Sequence, residues 1–204
     1  MSPSAITNEI AATAARLVVE EGLEYGPAKQ RALKLLGKRG LQITTRKAEL
    51  PDNDLLEAEV RSYLALFCAE TQPGELAALR QVALRWMERL AEFRPYVTGA
   101  VWRGTATHLS DVHLQLYCDD SKSAEIALLG AGVAYDVGST RGPQGRSVDV
   151  LSLAERSVPL GETVTVHLSI LDHDDLRGAL KPDAQGRPQR GDAAALRRLM
   201  EPAA

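Results

Sequence analysis

Apolar residues recur at spacings of three and four through the first half of the chain, and strict alternation replaces that rhythm beyond residue 110. Residues 4–22 place Ile6, Ile10, Ala14, Leu17 and Val18 on one helical face, with Gly22 as a stop. Pro27 suits a first helical turn, and Ala32, Leu33, Leu35 and Leu36 carry a second helix to Gly37. "PDNDLLEAEVRSYLALFCAE" opens on capping-type Asp and Asn and then spaces Leu56, Val60, Tyr63, Leu64 and Phe67 for one buried face. "PGELAALRQVALRWMERLAEF" repeats that logic with Leu76, Leu79, Val82, Leu84, Trp86, Met87 and Leu90 until Pro95 ends it. These four helices read as core-forming elements.

In the second half Val112, Leu114 and Leu116 alternate with Asp111, His113, Gln115 and Tyr117, so the polar set shares one face of a strand. "SKSAEIALLGAG" reads as a short helix with a Ser cap, "VAYDV" and "SVDVLSL" as strands, and "GSTRGPQGR" as the loop between them. Val164, Val166, Leu168 and Ile170 alternate with Thr163, Thr165, His167 and Ser169 in a further strand, joined to its predecessor by the turn "VPLGET". "LDHDDLRGAL" and "RGDAAALRRLM" start two short helices around the loop "KPDAQGRPQRG". The pattern predicts an α+β protein, with a helical region over 1–94 followed over 95–204 by a small mixed β-sheet with flanking helices.

Composition narrows the class. The 204 residues are 45% hydrophobic and 25% charged, ordinary globular values. No apolar run approaches the ~20 residues that span a bilayer, and the N-terminus lacks the pattern of a secretory signal, so a cytoplasmic protein without membrane partners is expected. Cys68 and Cys118 are too few for a disulfide framework and read as buried free thiols. The net charge of −3 hides two basic stretches. Lys29, Arg31, Lys34, Lys38, Arg39, Arg46 and Lys47 follow one another without an acid, and residues 177–198 hold six basic residues against two acids. Such stretches serve phosphate recognition or form solvated helix faces.

The chemistry gathers in "TGAVWRGTATHLSDVHLQLY". Carboxylates two apart on a strand share a face where divalent metal can bridge them, and an upstream glycine turn lets backbone N–H groups approach a triphosphate. This stretch resembles the signature of the DNA polymerase β-like nucleotidyltransferase superfamily, in its minimal bacterial form, over residues 97–153. In that signature a Gly-Ser pair, a short helix and an Asp-x-Asp strand are followed by a third Asp on a later strand. Gly99-Ala100 stands at the Gly-Ser position, Arg103-Gly104 at the Arg-Gly pair, and Ser110-Asp111 at the Ser-Asp before the strand. The resemblance implies catalytic roles for Asp111 and Asp149, with Asp136 as the second choice for the later carboxylate. It implies substrate binding by Gly99, Ala100, Arg103, Gly104 and Ser110, and a Mg or Mn ion held by Asp111, His113 and Asp149. The implied substrate is a nucleoside triphosphate, its NMP passing to a hydroxyl of RNA, protein or a small molecule.

Two departures qualify that activity. His113 replaces the second carboxylate, and imidazole suits transition metals better than magnesium. Ala100 replaces a serine whose hydroxyl contacts phosphate. The alternative is therefore a catalytically inactive nucleotide- or RNA-binding regulatory module, and a third option is a structural protein whose polar sheet face is simply wet. Each nearby candidate has a plainer role as well. His167 either joins the metal site or bonds a Thr or Ser across the sheet, and the latter is preferred. Trp102 either stacks on a base or plugs the sheet–helix junction. Arg141 and Arg146 are candidate substrate contacts, and Asp172, Asp174 and Asp175 sit where a helix start favours acids.

Overall fold

The computed structural model describes residues 4–38, 50–183 and 185–201. It is α+β, with helices first and a mixed sheet after them. The chain divides into two compact units, Met1–Pro73 and Gly74–Ala204.

The first unit holds α1 (Ala5–Glu21), α2 (Tyr25–Lys38) and α3 (Asn53–Phe67). Ser4 caps α1 by accepting from the Thr7 amide, and Gly22 ends it in the left-handed conformation. Asp52 caps α3 by accepting from the Leu55 amide at 2.7 Å. Ile10, Leu17, Leu36, Leu56 and Val60 form the centre of its core. The basic stretch is partly committed to this fold, since Lys29 donates to Asn53 at 2.7 Å and Arg31 pairs with Glu21 at 2.6 Å. Arg39, Arg46 and Lys47 lie outside the described residues.

The second unit carries α4 (Gln72–Arg89), β1 (Tyr96–Thr98), α5 (Gly99–Arg103), β2 (Val112–Cys118) and α6 (Ser121–Gly130). It continues with β3 (Asp136–Arg141), β4 (Ser147–Ser157), β5 (Glu162–Asp172), α7 (Asp175–Ala179), β6 (Arg190–Gly191) and α8 (Ala193–Met200). The six strands form one sheet in the order β3-β4-β5-β2-β1-β6. β2 and β5 pair in parallel and the other described pairs are antiparallel, which makes the sheet mixed.

Alternation gives this sheet two unlike faces. Val97, Val112, Leu114, Leu116, Leu151, Leu153, Val166 and Leu168 point into one core with residues of α4, α6 and α8. The other face carries Asp111 just before β2, His113 and Gln115 on β2, and His167 and Ser169 on β5. The boundary expected at 94/95 thus differs from the division at 73/74. Leu79, Val82, Trp86 and Met87 of α4 bury themselves in the sheet's core, so this helix stands with the sheet.

Local differences have local causes. β3 extends through residues expected as loop, because an edge strand with all six residues exposed carries no apolar alternation to mark it. β1 and β6 are too short to leave a pattern. Asp120 rather than a serine caps α6, accepting from the Lys122 amide at 3.0 Å. The β4–β5 hairpin forms as its turn predicts, closed by the Gly161 amide on the Ser157 carbonyl.

Candidate functional site

Gly99 sits where β1 turns into α5, at φ +70°, a conformation that glycine enters without the Cβ penalty. A Cβ built there would lie 3.6 Å from His113 Cδ2, so the turn rests directly on the His113 ring. Antiparallel pairing explains the placement. Thr98 is opposite His113, and the chain continuing into α5 passes the Asp111 end of β2. Gly104 closes the helix at φ +80°, its amide bonding the Ala100 carbonyl. The Gly99–Gly104 turn and the strand carrying Asp111 and His113 are therefore in contact.

The neighbouring strand completes a polar row. Parallel pairing sets His113 beside His167, and antiparallel pairing sets His167 beside Ser152 and Ser152 beside Asp136. The two imidazoles stack with centroids 4.9 Å apart. His167 Nδ1 lies 2.8 Å from Ser152 Oγ, and its Nε2 lies 3.1 Å from Asp111 Oδ2. With Asp111 ionised, Nε2–H donates to the carboxylate, and Nδ1 shares a second hydrogen bond with the Ser152 hydroxyl. The preferred hydrogen-bonded role of His167 is thus realised. The His167 hydrogen bond holds the Asp111 carboxyl below the usual carboxylate range, against the opposing effect of partial burial. The charges of His167 and His113 and a hydrogen bond from Thr165 act in the same lowering direction.

An Asp–His–Ser relay of this kind activates a serine when donors stand ready for an oxyanion. Ser152 lies inside a strand paired on both sides, where the ladder engages the backbone donors. The relay fixes the orientation of His167, which is held at both ring nitrogens.

The expected metal ligands do not converge. Asp149 is opposite Ser139 on β3 and shares its side of β4 with Leu151 and Leu153, the core side. Asp111, His113, His167 and Ser152 occupy the other face, so the sheet itself separates Asp149 from Asp111. Asp136 does lie on the polar face, but two strands from His167, about 10 Å at the usual strand spacing. Among the described residues, no group of three or more His, Cys, Asp or Glu side chains is arranged to hold a metal ion. The residues present do not fit the three-ligand centre that the resemblance implies.

Other expected site residues have structural occupations. Ser110 Oγ accepts from the Thr107 amide at 3.0 Å and braces the turn before β2. Trp102 is the junction plug, its Nε1 donating to the Pro188 carbonyl at 2.8 Å and its ring filling the space beside Gly191. Ala100 and Arg103 are half-buried in α5. Arg146 pairs with Asp175 at 2.5 Å, and the acids stand at the helix start as expected, Asp174 at the N-cap position of α7 without a side-chain cap bond and Asp175 in its first turn. Neither cysteine is in a disulfide, and both are half-buried where buried thiols were expected. Sequence reasoning missed Ser152 and Thr165 as partners of the site, although the parity of "SVDVLSL" sets Ser152 on the side away from Leu151 and Leu153.

No protein-family model matches the chain, and no curated protein matches it. Among the described residues, no helix is long and apolar enough to cross a membrane.

Proposed function

We propose that the Gly74–Ala204 unit binds a nucleoside triphosphate on the polar face of its sheet and serves as a regulatory nucleotide-binding module without nucleotidyl transfer. The observation that carries this reading is the seating of the Gly99 turn on His113, beside Asp111. Amides of a first helical turn have no intrahelical acceptor and are disposed to meet phosphate oxygens. The His113 imidazole lies on the strand beneath, its Cδ2 edge against the turn, and Gly99 keeps the approach free of a side chain.

Transfer makes a stricter demand. Metal-assisted attack at phosphorus needs oxygen ligands that hold a cation against the triphosphate. Here Asp111 is engaged by His167, imidazole stands at the second ligand position, and Asp149 is on the core side of the sheet. The pattern supports a nucleotide held by the protein's own donors, with occupancy as the output. An RNA or protein hydroxyl as acceptor belongs to the transferring alternative.

The test is incubation with each α-labelled nucleoside triphosphate, with magnesium or manganese, and with cellular RNA and protein, while binding is measured in the same samples. The expected result is saturable binding without label on any acceptor. Label transfer that disappears in Asp111→Ala overturns the inactive reading, and absence of binding overturns both.

A further inference from the structure

Farther along the polar face, toward the ends of β2 and β5, lies a cleft of about 400 Å³. Gln115 and Ser169, neighbours in the parallel pair, contribute to its floor. Arg141 from β3 and Arg190 from β6 line it, as do Asp174 and Asp175 around the start of α7. Gln115 is four residues beyond Asp111, about 13 Å along an extended strand, so the cleft is distinct from the Gly99 turn.

The two arginines are in unusual electrostatic circumstances. Arg190 donates to Gln115 Oε1 and, at 2.9 Å, to the Tyr117 hydroxyl, both neutral acceptors. Its Nε is buried with no hydrogen-bond partner. The Arg141 side chain makes no hydrogen bond or ion pair among the described residues. Its guanidinium lies over the β3–β4 connection, where a Cβ at Gly145 would come within 3.2 Å of Nη2. Gly145 has φ +78°, so backbone conformation and space both favour glycine beneath that guanidinium. Of the two acids in the cleft, Asp175 is neutralised by Arg146 at 2.5 Å, which leaves Asp174 against two guanidinium charges.

Guanidinium groups that line a recess without paired carboxylates form a receptor for a compact anion, and their planar forks match phosphate oxygens. Gln115 and Ser169 add neutral hydrogen-bonding groups, and the volume suits a small solute. We infer that this cleft binds the phosphate group of a small phosphorylated solute or of free phosphate, gripped between Arg141 and Arg190. It assigns a purpose to Arg141 and to the basic stretch containing Arg190, neither of which the nucleotide reading uses.

The experiment is calorimetric titration of the full chain with inorganic phosphate and with glycerol phosphate, each against chloride at matched ionic strength. Wild type, Arg141→Gln, Arg190→Gln, Arg190→Lys and His113→Ala are compared. Arg141→Gln alters an exposed edge strand and keeps the result readable if Arg190→Gln disturbs the Gln115–Tyr117 contacts. The expected result is saturable binding of phosphate, weakened about tenfold or more in each Gln variant and unchanged in His113→Ala. Arg190→Lys retains charge without the fork and falls between. Tighter binding of glycerol phosphate assigns an organic phosphate, and tighter binding of the inorganic ion assigns free phosphate. Heats no larger than those of chloride, or equal in wild type and Arg141→Gln, overturn the inference. Phosphate binding without any nucleotide binding overturns the preceding function alone, and nucleotide binding without phosphate binding overturns this one alone.

Discussion

Gly191→Ala is a one-methyl change whose consequences follow from the position of Trp102. A Cβ at residue 191 would lie 2.1 Å from Trp102 Cζ3 and 2.3 Å from Cη2. Ordinary carbon–carbon contact is about 3.5–4.0 Å, so the indole must retreat by about 1.5 Å. It cannot do so freely, because Nε1 is anchored on the Pro188 carbonyl at 2.8 Å and the ring packs against the second unit's core. The overlap costs about 1–3 kcal/mol as overpacking, and loss of the indole hydrogen bond adds about 1 kcal/mol. A destabilisation of about 3 kcal/mol is expected. Residue 191 lies outside the left-handed backbone region, so this cost is steric and is relieved by removing the indole. In a cycle with Trp102→Leu, the double variant should recover about 2 kcal/mol of the summed single effects. Trp86 and Trp102 are the chain's two tryptophans and both lie in the Gly74–Ala204 unit, so fluorescence in urea follows that unit. A cost under about 1 kcal/mol, or additive behaviour in the cycle, refutes Trp102 as the junction plug and restores it as a ring free to stack on a base.

Three further outcomes are expected. Thr107 is buried with a hydroxyl that has no hydrogen-bond partner, so Thr107→Val should stabilise the protein by about 1 kcal/mol in urea denaturation. Asp111 has a depressed folded-state pKa, chiefly through the His167 hydrogen bond, so its contribution is present above the unfolded value near 3.8 and is lost as pH falls through the folded value. Asp111→Asn should therefore flatten the acid limb of a stability–pH profile below about pH 4 and leave its alkaline limb alone. Burial, helped by Asp120, Asp119 and Asp172, raises the Cys118 thiol, so alkylation of this residue at neutral pH should be slower than that of a small-molecule thiol, as peptide mass analysis would show.

The elements were legible where burial imposes a period. Leu114 and Leu116 must face the core, and that alone places Asp111 and His113 together on the other side of β2. The same logic applied to β4 separates Asp149 from them. Leu151 and Leu153 share the parity of Asp149, a signal present in the strand itself. The polar row from Asp136 to His113 was less accessible, because it depends on strand order and register across four strands. Neither β3, exposed along its length, nor the two-residue β6 imposes a periodicity that could announce such neighbours. Arg190 reaches Gln115 and Tyr117 across 75 and 73 residues of sequence, a contact made by β6 and not by any local pattern. Helix α4 follows the helical rhythm of its predecessors, and only the partner of its buried face assigns it to the sheet.

The most direct test of the account is equilibrium binding of nucleoside triphosphates in the presence of a chelator, with wild type, His113→Ala and Asp149→Asn. The arrangement of Gly99 over His113 predicts saturable binding without divalent metal, weakened about tenfold in His113→Ala and unchanged in Asp149→Asn. Binding that appears only with magnesium or manganese and collapses in Asp149→Asn would contradict it.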